Sequence, residues 1–147
     1  MKIADLQYDV QYGLYGEEYE DAKRRGLLDG WKNEEPDLWQ VTIRHPEGRE
    51  VSFPFATAEA MRRDRHRPTS REENVFLLAL SAVMKDTLIY EREGSYEDFC
   101  DAMGFDPEAP ESERTYRAVE EQAQAVRELL GDDFDDIVKE LEENELL

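Results

Sequence analysis

Residues able to do chemistry are few in this sequence and mostly of one kind. Its 147 residues include two histidines, one cysteine and 37 carboxylates. Cys100 falls in the middle of an apolar helical stripe, where a thiol behaves as a small hydrophobe. His45 lies in a turn and His66 in an arginine run. Neither has a cysteine or a metal-spaced carboxylate near it in sequence, so both are expected at the surface. No G-x-S-x-G elbow occurs, and Gly13-Leu14-Tyr15-Gly16 precedes neither a Lys-Ser/Thr pair nor an apolar helix. Gly131-Asp132-Asp133-Phe134-Asp135-Asp136 lacks the alternating ligands, central glycine and terminal glutamate of a calcium-binding EF-hand loop. Aspartates at a helix N-terminus are ordinary complements of the helix dipole. The expectation is no catalytic residue, no resident metal and no cofactor.

What remains is the carboxylates as a charged surface. Lys and Arg number 18 against 37 Asp and Glu, a net charge of −19. The imbalance is local: residues 1–85 hold 13 basic and 16 acidic side chains, whereas residues 86–147 hold 5 and 21. On the last helix, at 100° per residue, Asp132, Asp136, Glu140 and Glu143 fall within about 80° of one another. They lie opposite the apolar Phe134, Ile137, Val138 and Leu141. Asp133, Asp135 and Glu142 widen this patch, and Glu120, Glu121 and Glu128 join it if the last two helices are antiparallel neighbours. Successive acids of the stripe sit about 4.5–6 Å apart along the axis, comparable to the ~3.4 Å charge spacing of one DNA strand. Such a surface opposes direct binding to nucleic acid or to an anionic membrane and suits a basic protein groove. Two explanations stay open: acidity aimed at a partner, and plain solvation or salt adaptation, to which 5 Lys against 13 Arg also points. Salt adaptation predicts acidity spread over the whole surface, which the near-balanced first 85 residues do not show.

The elements that must position these groups follow from periodicity. Leu6, Tyr8, Val10, Tyr12 and Leu14 alternate with polar residues or glycine, as in a half-buried strand over 5–15. Glu17–Arg25 suits a short helix. Trp39, Val41 and Ile43, then His45-Pro46-Glu47-Gly48, then Val51, Phe53 and Phe55 predict a hairpin over 38–55. Pro54 places its second strand at an edge or a bulge. A basic connector, Arg62–Arg67, is stopped by Pro68, and Thr69 and Ser70 with Glu72 and Glu73 form capping-box spacings. The helix they open, about 71–90, is apolar nearly all round (Leu78 and Leu80 alike), which predicts a central position. Ser95 caps a helix whose stripe is Tyr96, Phe99, Cys100 and Met103, with Gly104 as its left-handed terminator and Phe105 folding back. Helices over about 111–130 and 133–144 complete the chain. The expectation is one α+β domain over 1–147. A two- or three-stranded antiparallel sheet packs on about four helices, the last two strongly acidic, with 86–147 as the acidic helical half. No apolar run approaches the ~20 residues of a membrane span, and the N-terminus does not resemble a signal peptide, so a cytoplasmic protein is expected.

The order of these motifs resembles a group of small acidic proteins encoded by phages and prophages. The resemblance rests on Pro68 and Thr69, Ser95 to Cys100, Gly104 to Asp106, Tyr116, and Gly131 to Phe134, and covers about residues 38–142. Residues 1–37 have no counterpart in it and form a member-specific segment. The group supplies no catalytic residues to carry over. It implies a mobile-element origin and, by likeness to small acidic phage proteins, an anti-CRISPR or anti-restriction inhibitor. The expected partner is then a host Cas effector or restriction enzyme in the host cytoplasm, bound by a monomer or homodimer. The alternative is a phage regulatory or assembly adaptor that docks through Tyr8, Tyr12, Tyr15, Trp31 and Trp39.

Overall fold

The structure is a computed structural model that describes residues 1–29, 31, 35–58 and 71–147. The basic connector with His66, Pro68 and the capping residues Thr69 and Ser70 lies outside the described residues. Three strands, β1 (Gln7–Tyr12), β2 (Asp37–Arg44) and β3 (Glu50–Thr57), form an antiparallel sheet in the order β1-β2-β3. The alternation seen in the sequence sets the register. Val41 sits opposite Val10 and Phe53, and Trp39 opposite Tyr12 and Phe55, so the inner face of β2 is apolar apart from Asp37 at its start. A slip of one residue would turn that face to water. The other face is tied by Arg44, whose guanidinium reaches Asp9 on β1 at 2.7 Å and Glu50 on β3 at 2.8 Å. Pro54 lies on the edge strand β3, where a missing amide costs no ladder bond. The hairpin closes through Gly48, whose φ of 102° few other residues adopt.

Helix α1 (Glu17–Arg24) packs against β3, and among the described residues four helices follow the sheet: α2 (Arg71–Glu93), α3 (Tyr96–Met103), α4 (Pro110–Leu130) and α5 (Phe134–Glu143). The architecture is α+β, a small sheet packed on helices. One core joins Trp39, Val41, Ile43 and Phe53 of the sheet to Phe76, Leu80 and Met84 of α2, Val126 and Leu130 of α4, and Phe134, Ile137 and Leu141 of α5. Helix α2 packs on α4, α3 and β1, yet its burial is one-sided. Val75, Phe76, Ala79, Leu80, Val83 and Met84 are buried, whereas Leu78 is 41% exposed. The central position expected of α2 agrees with its contacts to α4, α3 and β1, while its outer side, with Leu78, stays open to solvent. No helix among the described residues is long and apolar enough to cross a membrane.

Helix α3 is built as its sequence predicts. Ser95 Oγ accepts the Asp98 amide at its start, and at its end Gly104 adopts φ 74° while the Phe105 amide returns to the Cys100 carbonyl at 2.8 Å. Phe99 and Cys100 are fully buried. The Phe99 ring meets Tyr116 of α4 at 5.2 Å and Phe105 at 6.2 Å, which anchors α3 beside the helix pair.

Candidate acidic interface

Helix α5 owes its position to Phe134, Ile137 and Leu141, which recur at one-turn spacing and are 1%, 0% and 0% exposed. Burying that stripe forces the intervening acids outward, so its charged face is a consequence of the core. Over residues 131–145 there are eight carboxylates and one cation, Lys139.

The structure divides the ten acids of the sequence-based patch into three groups. Asp133, Asp136 and Glu140 contact the first residues of the chain, Asp136 while remaining exposed. The Met1 ammonium lies 3.0 Å from Asp136 and 4.0 Å from Asp133, and Glu140 Oε1 accepts the Ile3 amide at 2.9 Å. These contacts raise the pKa of the Met1 ammonium, the Asp136 hydrogen bond contributing most. Glu120 and Glu121 point elsewhere. Glu120 accepts the Tyr90 hydroxyl at 2.8 Å, a bond that holds the tyrosine pKa up at about 12, and Glu121 pairs with Arg24 and Arg25 near α1. They do not widen the patch, because α4 lies along α2 and these positions face α2 and α1. The third group is Glu128, Asp132, Asp135, Glu142 and Glu143, all exposed and with no direct cationic partner among the described residues.

Several arginines are already paired with acids outside this third group. Arg49 bonds Glu47, Arg114 bonds Asp29, Arg117 bonds Glu113 and Arg127 bonds Glu91. Arg127 also lies over the Phe134 ring, 3.6 Å from its centroid, at the base of α5. Isolated exposed ion pairs contribute little stability, but they remove local field. Among the described residues the acids of this third group on α5 and the turn before it are left without an ion pair, as are Glu97, Asp98 and Asp101 of α3.

His45 corrects the sequence reading. It is 4% exposed rather than a surface residue, and its partner Asp133 is 88 positions away in the chain. His45 Nδ1 accepts the Glu47 amide at 3.1 Å, so Nε2 carries the hydrogen that meets Asp133 Oδ2 at 2.8 Å. That bond, more than any other contact, draws the Asp133 pKa below the usual carboxylate value. His45, Glu47 and Asp133 bring three potential metal ligands within 4.8 Å. In this arrangement both imidazole nitrogens are already engaged, so the trio acts as a clasp between the hairpin turn and α5.

The aromatic set of the alternative reading is also divided. Trp39 is 1% exposed, its Nε1–H bound to Thr57 Oγ1 at 2.8 Å, and Tyr8 stacks on Phe76 at 4.2 Å. Trp31 is partly exposed. Tyr12 and Tyr15 are exposed, and Tyr19, which periodicity did not single out, joins them. Comparison with known protein families, curated proteins and solved structures gave no match, so the function of the acidic end has to be inferred from its geometry.

Proposed function

We propose that this chain is a non-enzymatic, phage-type inhibitor of a host nuclease complex, a Cas effector or a restriction enzyme, acting in the host cytoplasm. It offers the exposed acids of α5 and its leading turn to the basic groove that the complex uses for nucleic acid. The observation that carries this reading is the exposed group Glu128, Asp132, Asp135, Glu142 and Glu143, without an ion pair among the described residues, on the end of α4, the turn and α5, the last of which is clamped on another flank to Met1 and Ile3. A charged face held on a fixed helix suits electrostatic steering toward a groove of opposite sign. The sequence resemblance to small acidic phage proteins supports the same direction. Binding of purified Cas effectors and restriction endonucleases, compared at about 0.05 M and about 0.5 M salt, tests it, since screening shortens to a few ångströms at the higher value. Reversing Asp132, Asp135, Glu142 and Glu143 to Lys is expected to abolish binding, while reversing Glu17, Glu18 and Glu20 on α1 leaves it unchanged. Equal binding by both variants would overturn the proposal.

A second reading, a phage adaptor, has one observation in its favour, the exposed Tyr12, Tyr15 and Tyr19. It predicts binding that survives about 0.5 M salt and is lost in Tyr15→Ala.

A further inference from the structure

A cleft away from the acidic face contains a carboxyl group that nothing else in the fold uses. It has a volume of about 310 Å³ and lies between the residues following α1, strand β3, α2 and α4. Its walls are largely apolar, with Leu27, Phe55, Val83, Phe105 and Ala118 among them, and Asp86 of α2 is set into them. A shallower depression of about 210 Å³ shares Gly26, Phe105 and Thr115 with it and extends it toward Ser112 of α4. Among the described residues Asp86 accepts no hydrogen bond and pairs with no cation.

We propose that this cleft binds an alkylammonium or alkylguanidinium group, the cation on the Asp86 carboxylate and the hydrocarbon stem along the apolar wall. Three features favour that chemistry. A half-buried carboxylate in an apolar recess is only partly compensated by water, and a cation bringing its own hydrogen-bond donors adds to that compensation. An anion would be repelled, and a wholly apolar ligand would leave the carboxylate still less solvated. The recess and the depression that adjoins it, about 310 and 210 Å³, have room for a hydrocarbon stem beside Phe55 and Phe105.

The charged groups around the recess do not already fill this role. Arg25, at the end of α1, is bonded to Asp21 at 2.9 Å and to Glu121 at 3.4 Å. Asp29 is paired with Arg114 at 3.1 Å, and α4 contributes the neutral Thr115 and Gln122 to the recess and a second acid, Glu111, to the adjoining depression. Strand β3 brings Pro54 and Phe55, and Lys85 beside Asp86 on α2 is the cation whose field opposes the effect of burial. Burial lifts the Asp86 pKa to about 6, so the carboxylate is available at neutral pH and is lost below it. Cation binding should weaken as the pH falls through 6 and should itself draw the Asp86 pKa down.

Two probes test the proposal by amide and side-chain NMR of the full chain: agmatine, and a short acetylated Gly-Arg-Gly amide. Saturable shifts at Phe105, Thr115 and Gln122, weakened about tenfold or more in Asp86→Asn, are expected. A response to agmatine alone supports the site with a free amine as its ligand, and a stronger response to the peptide supports it with a partner's side chain. Ala118→Leu, which narrows the recess without touching charge, should block both probes. Absence of shifts with either probe, or shifts undiminished in a folded Asp86→Asn protein, would overturn the proposal.

Discussion

The imidazole of His45 donates to the carboxylate of Asp133 at 2.8 Å, and so fastens the hairpin turn to the turn that leads into α5. The histidine is almost wholly buried, whereas the aspartate side chain is 29% exposed. Removing the imidazole should therefore cost more than removing the carboxylate. His45→Ala leaves a cavity and an unanswered Glu47 amide, and about 2 kcal/mol of lost stability is expected. Asp133→Asn keeps the shape and an acceptor oxygen, and a smaller loss is expected. Urea unfolding of the two variants checks the order.

The same pair sets a sign for acid stability. Asp133 is held below its ordinary value of 3.8 in the folded chain, so the folded state binds its proton less readily than the unfolded one. Its contribution is fully present above about pH 4 and is lost as the pH falls toward the folded value. Stability curves of the parent and Asp133→Asn proteins should therefore diverge above about pH 4 and converge below it. Divergence that grows on acidification would contradict the assignment.

Both ends of α3 rest on single residues. Gly104 stands at φ 74° with nothing within 4 Å of where a Cβ would be placed, so Gly104→Ala meets no clash and only backbone strain. About 1 kcal/mol is expected. Ser95→Ala removes the acceptor of the Asp98 amide and should cost about 1 kcal/mol as well. Because the two sites do not touch, the losses should add in the double variant, as read from urea midpoints.

These local features were legible because each is encoded within a few residues: the cap three positions before its amide, the glycine one past the helix, the two-residue period of Trp39, Val41 and Ile43. The parts that escaped are those encoded by distance. His45 shows no partner in its neighbourhood because Asp133 lies 88 positions on, and only the docking of α5 brings them together. The acidic stripe was legible as a face. That Asp136 and Glu140 are occupied by Met1 and Ile3 was not, because helical periodicity states which residues share a side and never what lies against it. Trp39 illustrates the converse. Its size suggested an interface anchor, but the Thr57 hydroxyl satisfies its only polar atom inside the sheet.

Leu78 and Leu80 separate on the same grounds. Their types are identical and both sit on an apolar helix, yet Leu80 is 1% exposed and Leu78 is 41% exposed. Leu80→Ala should cost about 2–5 kcal/mol through the cavity it leaves. Leu78→Glu should stay within about 0.5 kcal/mol of the parent. Thermal unfolding of the two variants distinguishes them without ambiguity.

Asp86 predicts the opposite pH trend to Asp133. Its folded pKa of about 6 lies above the ordinary 3.8, so between these values the folded chain holds a proton that the unfolded chain has released. Stability from this group is therefore greatest below about pH 4, declines as the pH rises through 6, and is at its minimum above. The difference of about two pKa units corresponds to on the order of 2–3 kcal/mol of destabilisation at neutral pH. Asp86→Asn, which carries no charge at any pH, should consequently be more stable than the parent at pH 7.5 and gain little or nothing at pH 4. Calorimetric unfolding of both proteins across that range measures the effect directly, and an Asn variant less stable than the parent at pH 7.5 would show that the carboxylate is solvated after all.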